Sequence, residues 1–557
     1  MAFQLSPGVL VTEKDLTSVV PSVATTAGGF AGAFQWGPVE QVVTVDSENM
    51  LVERFGKPDD NTFESFFTAA NFLSYGNNLQ VVRVVPAGAR NAVANSAATA
   101  VLIKNEEQYI STYSDGSGAV GEFAAKYPGT LGNGIKVSMA DGNVFSSWAY
   151  KDLFDASPNV SIFANSFGAT NDEMHIVILD GDGKWTGVKD TVLEKFQFVS
   201  KAKDAKKSDG SSIYYKNVLN DQSKYIWWMD HPADTSNWNS KAEDATVFDT
   251  LTSNVTVTLS NGTTSTTPVD ANIITGINLF NNSEKFDISL FPVGTASTAV
   301  AAAAIAMAET RKDCIVFISP EKADVVNNVG NEATDVVAHR NSLSSSSYAA
   351  MDSGWKYQYD RYNDVYRWVP LNGDTAGLCV RTDFVADPWF SPGGFNRGQV
   401  KNTVKLAFSP SQTERDTLYK AGVNPVVTFP GQGTVLFGDK TMLSRPSAFD
   451  RINVRRLFIV LEKAISTAAK YQLFEFNDAF TRAQFRNLVE PFLRDVQGRR
   501  GIVEFKVVCD ETNNTSEVID KNEFVADIYV KPARSINFIQ LNFIATRSGI
   551  SFEEVGA

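Results

Sequence analysis

Histidine and cysteine are scarce in this chain: three of each occur among 557 residues. The histidines are scattered, and the sequence contains no HExxH zinc motif, no Walker lysine loop and no GxSxG nucleophile motif. The cysteines, Cys314, Cys379 and Cys509, form no CxxC pair, which indicates a reducing compartment and no disulfide framework. We therefore expect no catalytic residues, no metal site and no cofactor.

An excess of positive charge and a long apolar run are also missing. The formal net charge is −13, whereas nucleic-acid-binding proteins usually carry a basic balance, so we expect no nucleic-acid partner. The longest apolar run, Ala299–Ala308, is too short to span a bilayer, and no basic segment followed by an apolar run opens the chain. These absences predict a soluble protein that is made in the cytoplasm, with no membrane insertion.

Two short patterns are typical of active or metal sites but match them poorly. His339 lies near Asp335 and the serines at 344–347, as a hydrolase would need, but the serine run favours a flexible linker. The sequence DGDGK from Asp180 has the start of a calcium loop, but Thr191 stands where a bidentate glutamate is required. This second pattern predicts a hairpin turn.

Alternating helix and strand patterns predict an α/β domain made from two parts of the chain, residues 23–86 and 291–434. Its predicted elements are helices at Ser47–Phe55, Phe63–Ser74 and Ser297–Thr310 and buried strands at Leu79–Val85 and Asp313–Ser319. Residues 87–290 are rich in strand and turn signals, with strands predicted at 174–179, 192–199 and 254–259. We interpret this region as an outer, mostly β insertion, so the fold class is a multidomain combination of α+β and α/β domains.

The remaining segment, 435–557, begins with a basic amphipathic helix. Its apolar residues follow helical spacing at Val454, Leu457, Phe458, Leu461, Ala464, Ile465 and Ala468. Asp450 is the predicted N-cap, and three arginines, Arg451, Arg455 and Arg456, follow where the helix dipole disfavours cations. Residues 445–500 hold 11 Lys+Arg and 6 Asp+Glu, a surplus of +5. A negatively charged partner explains this surplus, and the alternative is a solvated basic face with carboxylate partners in the same chain.

Both ends of the chain contain short strand patterns that need partners. The N-terminal pattern covers Gly8, Val9, Leu10, Val11 and Thr12, and the C-terminal one includes Ile536, Phe538, Leu541 and Phe543. Because unpaired ladder groups are costly, we predict that these strands pair between subunits, with residues 13–22 as a tether of at most ~33–36 Å. Residues 1–22 would thereby join the domain formed by 435–557.

Several phrases along the chain are similar to the contractile tail sheath proteins of T-even-type (myovirus) bacteriophages. They are SPGVLVTEKD, GAFQWGP, FGKP, AANFLSYGNNLQVVRVV, SSSYAAMDSGWKYQYDRYNDVYRWVPLNGDTAGLCVRTD, FSPGGFNRGQV, FDRINVRRLF, KYQLFEFNDAFTRAQFR and SINFIQLNFIAT. The resemblance implies a structural subunit without catalytic activity, which polymerises as stacked hexameric rings around a tail tube. Contraction of this sheath would drive the tube through the host envelope for genome ejection.

The resemblance also implies where the chain acts and what it contacts. It places the C-terminal domain innermost, so the predicted tube-contact residues are Arg451, Arg455, Arg456 and Lys463. The implied partners are further copies of this chain, the tail tube protein, and the baseplate and tail terminator proteins. The implied location is the tail of the virion, after assembly in the host cytoplasm.

Two other functions stay open at this point. The first is a sheath subunit of a bacterial contractile injection system, which would share the same architecture. The second is an α/β enzyme whose inserted domain closes over a cleft. Such an enzyme needs a polar cluster at the carboxyl ends of its strands, and none is legible in the sequence.

Overall fold

The structure is a computed structural model, and it describes residues 24–96, 101–233, 235–264, 269–537 and 539–540. Its contacts divide the chain into two units. The larger unit contains Ala24–Val385 and Pro392–Asp450. Of the described residues, the C-terminal unit contains Ala386–Ser391, 451–537 and 539–540. The predicted strand Gly8–Thr12 lies outside the described residues, and the predicted domain boundaries stay predictions.

The described residues contain both helices and strands. The helices are α1 Glu48–Phe55, α2 Phe63–Leu73, α3 Glu106–Thr112, α4 Ile162–Ser166, α5 Tyr215–Gln222, α6 Asp270–Asn278, α7 Thr298–Arg311, α8 Lys322–Val325, α9 Glu332–Ser342, α10 Asn372–Val385, α11 Gln412–Lys420, α12 Ile452–Ala469, α13 Ala479–Gly498 and α14 Ser516–Asp520. The strands are β1 Gly28–Gly32, β2 Val42–Val45, β3 Leu79–Arg83, β4 Phe123–Ala125, β5 Ile135–Asp141, β6 Glu173–Asp180, β7 Thr191–Ser200, β8 Ile226–Trp228, β9 Val255–Thr258, β10 Leu290–Pro292, β11 Ile315–Ile318, β12 Ala349–Asp352, β13 Trp355–Asp360, β14 Val365–Pro370, β15 Lys405–Leu406, β16 Val423–Asn424, β17 Val426–Phe429, β18 Gly433–Leu436, β19 Ile502–Val508 and β20 Asp527–Pro532.

A seven-stranded sheet forms the centre of the larger unit, in the order β16-β12-β11-β10-β1-β3-β2. All neighbouring strands are parallel except β2, which pairs antiparallel with β3 at the edge. The inner strands β1, β10 and β11 are buried at every residue, as expected when helices cover both faces of a parallel sheet. On one face the sheet shares a hydrophobic core with α6 and α7. Helix α10 packs on β10–β12 and on α2.

Between β3 and β10 the chain leaves this sheet and forms antiparallel structure. Strands β5, β6, β7 and β9 make a four-stranded sheet in the order β7-β6-β5-β9, and β4 pairs with β8. Apolar residues of β5 and β6 share a hydrophobic core with Trp148, Trp228 and Trp238. The hairpin turn predicted from Asp180 is confirmed, because it joins the antiparallel strands β6 and β7. Asp180 Oδ2 accepts hydrogen bonds from the N–H groups of Trp185 and Thr186 at 3.0 and 2.7 Å.

The mixed α/β character predicted from the sequence is confirmed, and most predicted elements lie where expected. Helix α1 begins after the N-cap Ser47, whose side chain accepts a hydrogen bond from Met50 N–H. The serine run at 344–347 was expected to be a flexible linker, and this is wrong. Ser346 is 2% exposed, and Ser345 Oγ accepts a hydrogen bond from Ser444 N–H at 2.9 Å. No helix within the described ranges is both long enough and apolar enough to cross a membrane.

The guanidinium group of Arg83, at the end of β3, is fully buried in the larger unit. It donates hydrogen bonds to the carbonyl oxygens of Phe34, Gln35, Gly37 and Pro128 at 2.6–3.0 Å. Burial lowers the pKa of Arg83, and the four carbonyl dipoles replace the lost hydration of its charge. Arg83 therefore joins β3 to the loop at 34–37 and to the start of the antiparallel region.

Trp36 makes the same connection through apolar contacts. Its ring meets Tyr127 and Trp185 edge-on, with centroid separations of 5.4 and 4.9 Å, and it belongs to the core of the antiparallel sheet. The side chain is 3% exposed. Removing residues 87–290 would therefore expose Trp36. It would also remove the Pro128 carbonyl, one of the four hydrogen-bond acceptors of the buried Arg83 guanidinium group.

We expect Arg83→Lys to lower the free energy of unfolding by about 3 kcal/mol, because an ammonium group cannot reach four carbonyls that surround a planar guanidinium. Urea unfolding of the purified protein measures this change. Arg90→Lys is the matched control, since Arg90 donates to the nearby carbonyls of Ala87 and Ala89 and should change stability by less than about 1 kcal/mol. Equal effects of the two substitutions would contradict the role assigned to Arg83.

Candidate functional site

The C-terminal unit contains the helix that the sequence singled out. Helix α12 runs from Ile452 to Ala469, and the predicted apolar stripe is buried except at half-buried Phe458. The prediction that Asp450 caps this helix is wrong: Arg451 occupies the N-cap position. Asp450 instead ends a short 3-10 turn, Ala448–Asp450, and its carbonyl accepts a hydrogen bond from Thr441 N–H at 3.0 Å.

The four predicted tube-contact residues differ in exposure. Arg455 and Arg456 are 5% and 4% exposed, whereas Arg451 and Lys463 are half-buried. All residues from 452 to 457 are buried, so the start of α12 presents no outward face on which a basic cluster could lie. Arg456 Nη1 donates to the carbonyl of Pro388 at 3.4 Å. The structure thus does not bring the four cations onto one exposed surface, and the tube contact stays a prediction.

Helix α13 and a β-hairpin complete the C-terminal unit. Asp478 caps α13 by accepting a hydrogen bond from Thr481 N–H at 2.8 Å, and α13 packs on β19. Strands β19 and β20 pair antiparallel, and within the described residues each has one neighbour only. Each strand therefore has an open edge in this part of the chain. Leu457, Leu461 and Ile465 of α12 meet apolar residues of α13 and β19 in one core.

The connection between β19 and β20, which includes α14, is held by side-chain amides. Asn514 donates to the carbonyl of Val525 at 2.7 Å and accepts from its N–H at 2.9 Å, as a paired strand would. Asn477 donates to the carbonyl of Glu523 at 2.8 Å, which ties the start of α13 to the same loop. These contacts fix the hairpin without a third strand.

The predicted C-terminal strand is described only in part. Strand β20 ends at Pro532, and Ile536 is 82% exposed and lies outside any strand of the described residues. Phe538, Leu541 and Phe543 lie outside the described residues, as do Gly8–Thr12. Pairing of these strands between subunits therefore stays a prediction. What sequence reasoning missed in this unit is a group of exposed apolar side chains between α12 and α13.

A polar cluster, which was not legible in the sequence, lies at the carboxyl ends of the parallel strands. Ser319 follows β11 and donates to Asp352 Oδ2, at the end of β12, over 2.8 Å. Asn372, at the start of α10, donates its N–H to Ser319 Oγ at 3.0 Å and its amide to the Gly294 carbonyl at 2.8 Å. Only the assembled sheet brings these residues together, because they are separated by up to 78 positions.

An ion pair lies beside this cluster. Lys356 Nζ is 2.8 Å from Asp374 Oδ2, both side chains are 0% exposed, and Tyr75 donates to Asp374 at 3.0 Å. Burial raises the pKa of Asp374 and lowers that of Lys356, and the attraction between the two groups opposes both shifts.

The cluster is closed to solvent. Ser319, Asp352 and Asn372 are at most 2% exposed, and they donate and accept hydrogen bonds among themselves. The cluster therefore fastens α10 to the ends of β11 and β12, where an enzyme of this architecture would need an open crevice. The pattern of His339 with nearby serines also fails to form a nucleophile pair, since Ser342 Oγ donates to the backbone carbonyl of His339 at 2.7 Å.

In fold class the chain is a two-unit, mixed α/β protein similar to sheath subunits of known structure. The sheath tail protein of Desulfitobacterium hafniense matches with a TM-score of 0.55 over 94% of this chain and 100% of that one, at 12% identity.

Three family models match: Tail sheath protein Gp18 domain III N-terminal region at 26–84, Phage tail sheath protein central domain at 270–442 and Phage tail sheath C-terminal domain at 444–546.

Sequence comparison with curated proteins identifies the family. The tail sheath protein of Vibrio phage KVP40 is 34% identical over 99% of both chains, and that of Enterobacteria phage T4 is also 34% identical over 99% of both. The chain belongs to the phage tail sheath proteins, as the resemblance predicted. It is a structural protein of the phage tail and a component of the virion.

The buried carboxyl of Asp352 predicts a pH dependence of stability. Burial raises its pKa to about 8, whereas an unfolded aspartate ionises near pH 4. Between these values the folded protein keeps a proton that the unfolded chain has lost, so the free energy of unfolding falls as pH rises through this window.

Asp352→Asn cannot ionise, so we expect it to remove this fall, which is at most about 1.4 kcal/mol per pH unit. Urea unfolding at pH 5 and pH 7 compares the variant with the wild-type protein. Asp209→Asn is the control, because a hydrogen bond from Ser211 lowers the pKa of exposed Asp209, which is the opposite direction to the shift of Asp352. An unchanged slope in Asp352→Asn would show that Asp352 is already ionised in the folded protein.

Proposed function

We propose that this chain polymerises as stacked hexameric rings around a tail tube and that the sheath contracts to drive the tube through the host envelope for genome ejection. Its partners are then other copies of itself, the tail tube protein, and the baseplate and tail terminator proteins, with no nucleic acid and no membrane insertion. Assembly takes place in the host cytoplasm. The chain acts without catalysis, because contraction draws its work from the relaxation of a metastable polymer.

The observation that carries this proposal is the unfinished sheet of the C-terminal unit. Strands β19 and β20 pack against α13, but each has one open edge within the described residues. An open edge is a template for a strand from another chain. The strands predicted at the two chain ends could pair with this edge in a neighbouring subunit. Their main-chain hydrogen bonds would persist while the subunits move relative to each other during contraction.

The phage sheath is favoured over a sheath of a bacterial injection system. The supporting observation is the 34% identity to phage tail sheath proteins across 99% of both chains. An enzyme is disfavoured by the closed polar cluster around Asp352.

Deletion of residues 1–20 should give folded monomers that do not polymerise, because the predicted strand Gly8–Thr12 would then be unavailable to the sheet of a neighbouring subunit. A finer test is Leu10→Pro, which removes one backbone donor and should raise the concentration needed for polymerisation at least tenfold. Leu10→Ile keeps the donor and is the matched control. Electron micrographs and sedimentation velocity measure the outcome, and ordered tubes from the truncated chain would disprove strand exchange at this end.

Arg451 and Lys463 are the two predicted tube contacts that retain exposure. Their support is the surplus of +5 in residues 445–500 of a chain with net charge −13. Reversal of Arg455 or Arg456 would place a carboxylate in a buried position and disturb folding, so these two arginines cannot test the contact directly.

We expect Arg451→Glu with Lys463→Glu to weaken co-sedimentation with tail tubes at least tenfold at 50 mM salt, because two attractive charges become repulsive. Polymerisation without tubes should be unchanged. The pair Lys189→Glu and Lys207→Glu changes the net charge equally at exposed positions of the larger unit and serves as the control. Normal binding of the first variant to tubes would exclude Arg451 and Lys463 as tube contacts.

A further inference from the structure

Five large apolar side chains project from ten consecutive residues that connect α12 to the first turn of α13. We call residues 471–480 the aromatic segment. Phe474, Phe476 and Tyr471 are 105%, 84% and 76% exposed, and Phe480 and Leu473 are 74% and 63% exposed. Single exposed apolar residues are common on soluble proteins, but a group of this size marks an interaction site.

The backbone of the aromatic segment is held in place. Leu473 N–H donates to the Lys470 carbonyl, Glu475 N–H to that of Gln472, and Asp478 N–H to that of Phe476. Phe474 has φ of +71°, a left-handed conformation that is unusual for a bulky side chain. An ordered backbone thus directs these side chains outward, at a cost in conformational strain that a functional contact would explain.

The chemistry of the segment favours a protein partner over a lipid or nucleic-acid partner. Residues 471–480 contain Glu475 and Asp478 but no lysine or arginine. Anionic membranes and nucleic acids attract basic segments, so neither suits this surface. Aromatic side chains are enriched at the centres of protein interfaces.

The size of the segment fits a contact between two copies of the chain. Five side chains of this size offer roughly 800 Å². This is about the area that each partner contributes to a stable interface of standard size. In a helical polymer each subunit presents one surface to a different surface of the next subunit, so a single segment per chain is sufficient.

We propose that the aromatic segment is an interface between subunits, buried against a second copy of this chain when the protein polymerises. This inference rests on the proposed sheath assembly and assigns part of the self-contact to the five exposed side chains, Tyr471, Leu473, Phe474, Phe476 and Phe480. It is separate from the exchange of terminal strands, because the segment contributes side chains and the open hairpin contributes backbone groups.

Phe474→Ser combined with Phe476→Ser tests the proposal. Both side chains are exposed in the single subunit, so circular dichroism and thermal unfolding should match the wild-type protein. The concentration needed for polymerisation, measured by sedimentation velocity and electron microscopy, should rise at least tenfold. The matched control is Ile162→Ser with Val329→Ser, which removes two isolated side chains that are 94% and 90% exposed, and it should polymerise normally.

Phe474→Gly gives a second test that does not depend on the folding of the double variant. Glycine adopts positive φ without strain, so thermal stability should stay equal or rise while polymerisation weakens. Thermal stability that is equal or higher, together with weaker polymerisation, would support a role of the Phe474 side chain between subunits. Unchanged polymerisation in Phe474→Gly and in the double variant would overturn the proposal.

Two further outcomes separate this proposal from others. Variants that polymerise alone like the wild-type protein but no longer coat tail tubes would assign the segment to the tube and overturn the self-contact. Failure of the wild-type protein and the Ile162→Ser, Val329→Ser control to polymerise would overturn the proposed sheath assembly together with this inference.

Discussion

The larger unit depends on the burial of one charge, the guanidinium group of Arg83. Four carbonyl oxygens from the loop at 34–37 and from Pro128 replace the water that the charge has lost. Because a buried cation without these acceptors would be very costly, the end of β3, the loop and the start of the antiparallel region must keep one arrangement. Trp36 adds apolar contacts across the same junction. The sheet and the antiparallel region are thus one physical body at this point.

The two units differ in how far their polar and apolar groups find partners within the chain. In the larger unit, buried groups such as Asp352 and Lys356 find partners within the chain, and the ends of the parallel strands are closed by α10. In the C-terminal unit, the hairpin β19–β20 has open edges within the described residues, and the aromatic segment is exposed. Open ladder groups and exposed rings are what the proposed contact with another chain would cover. This difference agrees with the structural role of a tail sheath protein.

Membership of the tail sheath family could be predicted from the sequence because its motifs are long phrases spread over the whole chain. Elements such as α1, α2 and β3 could also be predicted, since their signals are local: a capping serine, helical spacing and a continuous apolar run. The sequence predicts Asp450 as the N-cap because aspartate is a preferred capping residue, but Asp450 ends a 3-10 turn and the helix begins one residue later, after Arg451.

The sequence by itself determined the fold class, the positions of most helices and strands, and the absence of recognisable catalytic motifs, because periodicity and short motifs are properties of neighbouring residues. Only the tertiary structure decided that Arg455 and Arg456 are buried, that Asp352 meets Ser319, and that Phe474 is exposed. Each of these facts depends on which distant elements pack together. The same arginine or phenylalanine at the same helical spacing can lie in a core or on a surface, and the contacts formed by the rest of the chain select one of the two.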